Sequence, residues 1–179
     1  AYARASGAPV YGLKSHQGFW RFLTLRTALH KDEWMVTLVT SEEGRGLLEP
    51  LADTLCRRFH NISTVVNNIN RRRAGIALGE EEVVLKGGGT LHDRIGAYTF
   101  QISANSFFQT NTLGAEKLYN KVIEVAELKG TERVLDLYSG TGTIPIFLSR
   151  HAGEVIGMEI VEEAVRDAEK NCRANGVTN

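Results

Sequence analysis

The run Asp136-Leu-Tyr-Ser-Gly140-Thr-Gly142 holds the residue types and spacing from which chemistry is most directly read. An acidic residue closes a short apolar stretch, and two glycines two positions apart follow it. Glycine lets backbone pass close to a ligand, and the free N–H groups of a following helix attract anionic or polar groups. A dinucleotide fingerprint needs another small residue three positions after Gly142, where Pro145 stands instead. The turn better suits a cofactor with an amino-acid tail, whose ammonium and carboxylate would meet Asp136 and the loop amides. Glu159 lies 19 residues beyond Gly140, at the end of a second apolar stretch. A carboxylate there can accept hydrogen bonds from both hydroxyls of a ribose. A Gly-x-Gly turn alone also serves ligand-free strand–helix corners, so the pairing with Glu159 carries the argument.

These residues need a strand–turn–helix frame, and the sequence supplies one. Arg133–Leu137 reads as a short buried strand, Thr143–Ala152 as a helix with Pro145 in its first turn, and Glu154–Glu159 as a second strand. Val161, Ala164, Val165, Ala168 and Cys172 mark a further helix ending at Asn175-Gly176. This βαβα order implies a parallel sheet. Upstream, Thr112 is placed to cap a helix carrying Leu118, Tyr119, Val122, Val125 and Ala126, with Gly130 closing it. Before residue 105 the pattern is different. Strands are expected over 19–27, 34–40, 62–69, 83–85 and 98–102, with one helix over Leu47–Phe59 and a flexible Gly87-Gly88-Gly89 turn. The fold expectation is α/β: a small α+β domain over 1–104, then the first half of a Rossmann-like domain over 105–179.

Composition narrows the class. Lys plus Arg and Asp plus Glu number 21 each, so any nucleic-acid affinity must come from local patches, of which Arg71-Arg72-Arg73 is the densest. Cys56 and Cys172 cannot build a disulfide framework, a four-thiolate zinc site or an iron–sulfur site, and both sit on apolar helical stripes. His16, His30, His60, His92 and His151 show no ligand spacing, so no metal site is expected. No apolar run approaches the ~20 residues of a membrane span, and Ala1–Pro9 lacks a signal-peptide core. A soluble cytoplasmic protein is expected, with no membrane partner.

Ser106-Phe-Phe-Gln-Thr-Asn111, Val134-Leu-Asp-Leu-Tyr-Ser-Gly-Thr-Gly-Thr143 and Gly157-Met-Glu-Ile-Val-Glu-Glu-Ala-Val165 together resemble the RNA (uracil-5-)-methyltransferase family. The likeness extends upstream through Asn67-Asn-Ile-Asn70 and Phe100-Gln-Ile-Ser103, and so covers most of the chain. The Phe-Phe-Gln-x-Asn segment is the specific part; Asp-x-x-x-Gly-x-Gly is shared by many methyltransferases. The resemblance implies an S-adenosyl-L-methionine-dependent enzyme making 5-methyluridine in structured RNA, with 23S ribosomal RNA expected ahead of transfer RNA. It implies that Gln109, Tyr138 and Glu159 touch the cofactor, beside Asp136, Gly140 and Gly142. Phe107 and Phe108 are expected in the core. Ser139 stands where many members carry Cys, and Ala104-Asn105 replaces a stretch that often contains Pro.

The family's chemistry is covalent: a thiolate adds to C6 of uracil, and a base later removes the C5 proton. The resemblance places the nucleophilic Cys, its Asp-Pro-Pro-Arg segment and the base beyond Asn179. No catalytic residue is therefore assigned here, and this portion alone is expected to be inactive. Two rivals remain, a methyltransferase for another substrate and a non-catalytic RNA-binding module with a vestigial fold. A sheet of only two strands also predicts self-association through uncovered edges.

Overall fold

The computed structural model describes residues 1–179, which divide into two compact units, Ala1–Ala28 with Asp32–Leu91 and Leu29–Lys31 with His92–Asn179. The first contains α1 (Tyr2–Ala5), β1 (Trp20–Ala28), β2 (Glu33–Thr40), α2 (Arg45–Arg58), β3 (Ile62–Ile69) and β4 (Glu81–Lys86). Its four-stranded sheet has the order β1-β2-β3-β4, with β2 and β3 parallel and both outer pairs antiparallel. The parallel pair follows from chain length, since only a crossover as long as α2 can return a strand in the same direction. Val36, Leu38 and Val65 from the central strands pack with Leu48 and Ala52 of α2. Phe59, expected on that helix, lies just past its end and is 46% exposed. Of the three consecutive arginines, Arg71 pairs with Glu81 and Arg72 with Glu80, so only Arg73 presents an uncommitted charge.

The chain continues with β5 (Thr90–Ile95), β6 (Tyr98–Ser103), α3 (Thr112–Ala126), β7 (Arg133–Leu137), α4 (Thr143–Leu148), β8 (Glu154–Met158) and α5 (Glu162–Ala174). β5 and β6 form one two-stranded sheet, and β7 pairs in parallel with β8 in another. Phe100, Ile102, Phe108, Tyr119, Ile146 and Phe147 make the core of this unit. The units part 13 residues before the 104/105 boundary drawn from the sequence. The reason is that Phe100 and Ile102, on alternate positions of β6, bury against α3 and α4 residues.

A polar seam joins β6 to α5. Asn175 exchanges hydrogen bonds with Thr99 (3.0 and 2.7 Å), and Asn171 does so with Gln101 (2.7 and 3.2 Å). Asp167 accepts from Ser103 N–H at 3.2 Å. Four helical residues rise about 6 Å and two strand residues about 6.8 Å. Side chains one helical turn apart can therefore meet alternate strand residues, and here they satisfy a strand edge as a neighbouring strand would. Asp167 and Asn171 are buried, which is tolerable only because their polar atoms are met.

Several sequence expectations shift. Asn111 rather than Thr112 caps α3, its Oδ1 accepting from Gly114 N–H at 2.8 Å. Leu118 and Val125 are exposed, and α3 buries Ala115 and Tyr119 instead. α4 stops at Leu148, four residues short of the expected end. β5 was not foreseen, because His92, Asp93 and Arg94 break its apolar pattern. β7 is not a buried strand: with only β8 beside it, Leu135 and Leu137 are 55% and 57% exposed. No helix is long and apolar enough to cross a membrane.

Candidate functional site

The turn after β7 departs from ordinary backbone at three residues. Tyr138, Gly140 and Gly142 all have positive φ (69°, 55° and 79°), a region costly for a residue with a side chain. Tyr138 adopts it anyway, with its N–H bonded to Met158 C=O at 2.9 Å and its ring 88% exposed. The two glycines differ in what surrounds them. A Cβ on Gly142 would lie 3.1 Å from the Ala168 Cβ, so this glycine lets α4 and α5 approach. A Cβ on Gly140 would meet nothing within 4 Å, and open space stands in front of it. Thr141, between them, is buried with its hydroxyl unpartnered.

Glu159 meets this turn directly. Its Oε2 accepts from Gly140 N–H at 3.0 Å, and its Oε1 accepts from the N–H groups of Ile160 (2.8 Å) and Val161 (2.9 Å). The bond from Val161, joined by those from Gly140 and Ile160 and opposed by burial, holds the carboxyl below the ordinary carboxylate range. A carboxylate offers about four acceptor sites. Three are committed to backbone, so Glu159 keeps one for a ligand rather than the two expected of a diol grip.

Asp136 sits opposite Gly157 in the β7–β8 ladder, and burial pushes its carboxyl up. Its carboxyl has no hydrogen-bond partner within the protein to oppose that effect of burial. Gln109 is half-buried, also without an internal partner, in the segment between Ser106 and the Asn111 cap. That segment is pinned at three points. Ser106 Oγ donates to Asp167 at 2.7 Å, Phe108 packs 5.7 Å from Phe100 in the core, and Asn111 anchors α3. Phe107 is 70% exposed and does not join the core expected of it.

Asp167 and Asn171 are functional neighbours that the sequence reading passed over. Asp167 holds Ser106, while Asn171 Nδ2 donates to Thr141 C=O at 3.1 Å within the glycine turn. One face of α5 thus fixes both the Gln109 segment and the Gly140–Gly142 turn. Their sequence signal is Asp167, Asn171 and Asn175 at four-residue spacing, beside the stronger apolar stripe of the same helix. A cavity of about 440 Å³ is lined by Ser139, Gly142 and Glu159 together with Gly157 and Ala168. Burial raises the thiols of Cys56 and Cys172, which makes both poor nucleophiles.

The chain has relatives of known family. A family model described as tRNA (Uracil-5-)-methyltransferase matches residues 24–179. An uncharacterized RNA methyltransferase of Chlorobaculum tepidum is 42% identical over 179 residues, 99% of this chain and 37% of that protein. Another, from Clostridium tetani, is 41% identical over 170 residues, 95% of this chain and 37% of that protein. The chain therefore spans under two fifths of the length of these curated relatives. Among solved structures, the Pyrococcus abyssi tRNA (uracil-54, C5)-methyltransferase in complex with S-adenosyl-L-homocysteine superposes with a TM-score of 0.77 at 30% identity, over 99% of this chain and 42% of that one. The Methanocaldococcus jannaschii tRNA m1G37 methyltransferase shares the fold alone, with a TM-score of 0.52 at 16% identity over 87% of this chain and 43% of that one. With its fold matched and 156 of its 179 residues covered by the family model, the chain belongs to the tRNA (uracil-5-)-methyltransferase family.

Proposed function

We propose that this chain is the cofactor-binding portion of an S-adenosyl-L-methionine-dependent enzyme that methylates C5 of a uridine in structured RNA. The observation that carries the reading is the meeting of Glu159 with Gly140, 3.0 Å apart across 19 residues, beside open space and an unpartnered Asp136. Bound there, S-adenosylmethionine would supply an electrophilic methyl group. Gly140 leaves room for its approach, the open acceptor of Glu159 takes a ribose hydroxyl, and Asp136 takes the ammonium of the amino-acid tail. Gln109 offers an amide donor and acceptor from the segment that α5 also anchors, and Tyr138 an exposed ring. Neither Cys56 nor Cys172 is the nucleophile, and the residues that attack C6 and deprotonate C5 belong to the longer protein. The flipped-out uridine reaches them there, as chemistry on a base requires.

The finer assignment, 23S ribosomal RNA, comes from the sequence resemblance, whereas the names of the family model and of the Pyrococcus relative point to transfer RNA. Methyl transfer from labelled S-adenosylmethionine to each RNA by the full-length protein decides between them. Methylation of C5 in either supports the reading. Methylation of a small molecule or a protein instead, or RNA binding with no methyl transfer at all, would replace it with one of its rivals.

A further inference from the structure

A second cavity, of about 290 Å³, is lined by His30, Lys31, Asp93, Arg94 and Thr99, none of which belongs to the cofactor site. Asp93 is 2% exposed and accepts four hydrogen bonds: from His30 N–H (3.2 Å) and Nδ1 (3.1 Å), Arg94 N–H (2.8 Å) and Thr112 Oγ1 (2.9 Å). Burial works against its ionisation, yet the bonds from Arg94, Thr112 and His30 hold its carboxyl below the ordinary range. An ionised carboxylate only accepts, so the proton lies on Nδ1 of His30. The ring is thereby held in one orientation, with Nε2 left without a partner in the protein. Lys31 and Arg94 are exposed and form no ion pair, unlike Arg71, Arg72 and Arg133.

Two free cations beside one fixed ring nitrogen match a ligand that is anionic at one point and carries a hydroxyl at another. A free phosphate satisfies the cations but spans only one of these two contact points. A ribonucleotide unit has both, and its 2′-hydroxyl is what separates RNA from DNA. In a chain with equal numbers of acidic and basic residues, attraction to RNA must also be local.

We propose that this cavity binds one sugar-phosphate unit of single-stranded RNA, with the phosphate between Lys31 and Arg94 and the 2′-hydroxyl hydrogen-bonded to His30 Nε2. The proposal rests on the RNA-methyltransferase reading and names a contact outside its cofactor site. Fluorescence anisotropy of the 179-residue chain with a short single-stranded RNA, and with DNA of the same sequence, tests it. The K31A/R94A variant, altered only at exposed side chains, should bind RNA roughly tenfold more weakly at low salt. The slope of log K against log salt should flatten by about 0.7, the contribution of one single-strand phosphate contact. H30A should narrow the preference for RNA over DNA. Variants that bind both strands as the wild type does, or a wild-type chain with no RNA affinity at low salt, would overturn the site. Separately, a full-length protein that binds RNA through this cavity but transfers no methyl group would remove the enzymatic reading and leave the cavity standing.

Discussion

The two parallel strand pairs of this molecule, β2–β3 and β7–β8, share a β–α–β connection and differ in what surrounds them. In the first, antiparallel neighbours β1 and β4 flank the pair, and the last six residues of both central strands are buried. In the second, no strand flanks the pair, and Leu135, Leu137, Ile156 and Met158 are 39–57% exposed. The candidate site hangs on the second pair. Its order therefore comes from elsewhere, through α5, whose Asp167 and Asn171 tie the glycine turn and the Gln109 segment to β6. A turn can thus be held in place by a helix where no further strand flanks its sheet.

Core substitutions should have the largest effects and should separate the two units. Phe100→Ala is expected to cost about 3–5 kcal/mol and Leu48→Ala about 2–5 kcal/mol. In denaturant melts followed by residue-resolved amide exchange, each should lower the protection of its own unit. If either variant weakened both units equally, the contrast would be lost and the chain would be one cooperative block.

The seam comes next. Asn171→Ala strands the half-buried N–H and C=O of Gln101 and the buried C=O of Thr141, at an expected cost of about 2–4 kcal/mol. Asn175→Ala, at the exposed end of the same row, should cost only about 0.5–1 kcal/mol. Equal effects would mean that burial along α5 does not grade the seam.

That seam also marks the limit of sequence reading here. The β7–turn–β8 frame and the Gly140–Glu159 pairing were legible because glycine, strand ends and acidic residues leave strong local signals. The Phe100–Ile102 strand was legible too, but its partner was not. Asp167 and Asn171 look like solvated helix residues until β6 is beside them, since burial of a polar side chain depends on partners 64 and 70 residues away. The exposure of Leu135 and Phe107 was hidden for a related reason, because apolar residue type reports a preference for burial and not the neighbours available to supply it.

A smaller effect follows from ionisation. Burial raises the Asp136 carboxyl, so the folded state holds that proton more tightly than the unfolded chain. Stability from this group therefore declines as pH rises from the unfolded value of about 3.9 through the folded one, and its charged form is a cost at neutral pH. Asp136→Asn should raise the thermal midpoint at pH 7 and leave it nearly unchanged at pH 3. Glu159 has the opposite sign: its lowered carboxyl contributes above about pH 4.3 and is lost as pH falls through the folded value. Thermal melts of Glu159→Gln across that range check this. Smallest of all should be the response to Leu135→Ser with Ile156→Thr, which should reduce any concentration-dependent association in sedimentation while barely moving the melt.

Titration of the isotope-labelled chain with S-adenosylhomocysteine, read by amide and side-chain NMR shifts, tests most directly whether the α5-anchored turn is a cofactor half-site. Weak, fast-exchanging shifts confined to Gln109, the Tyr138–Gly142 turn and Glu159–Val161 are the expected result, lost in Glu159→Ala but retained in Glu163→Ala. Shifts centred elsewhere, or an identical response from Glu159→Ala, would contradict it.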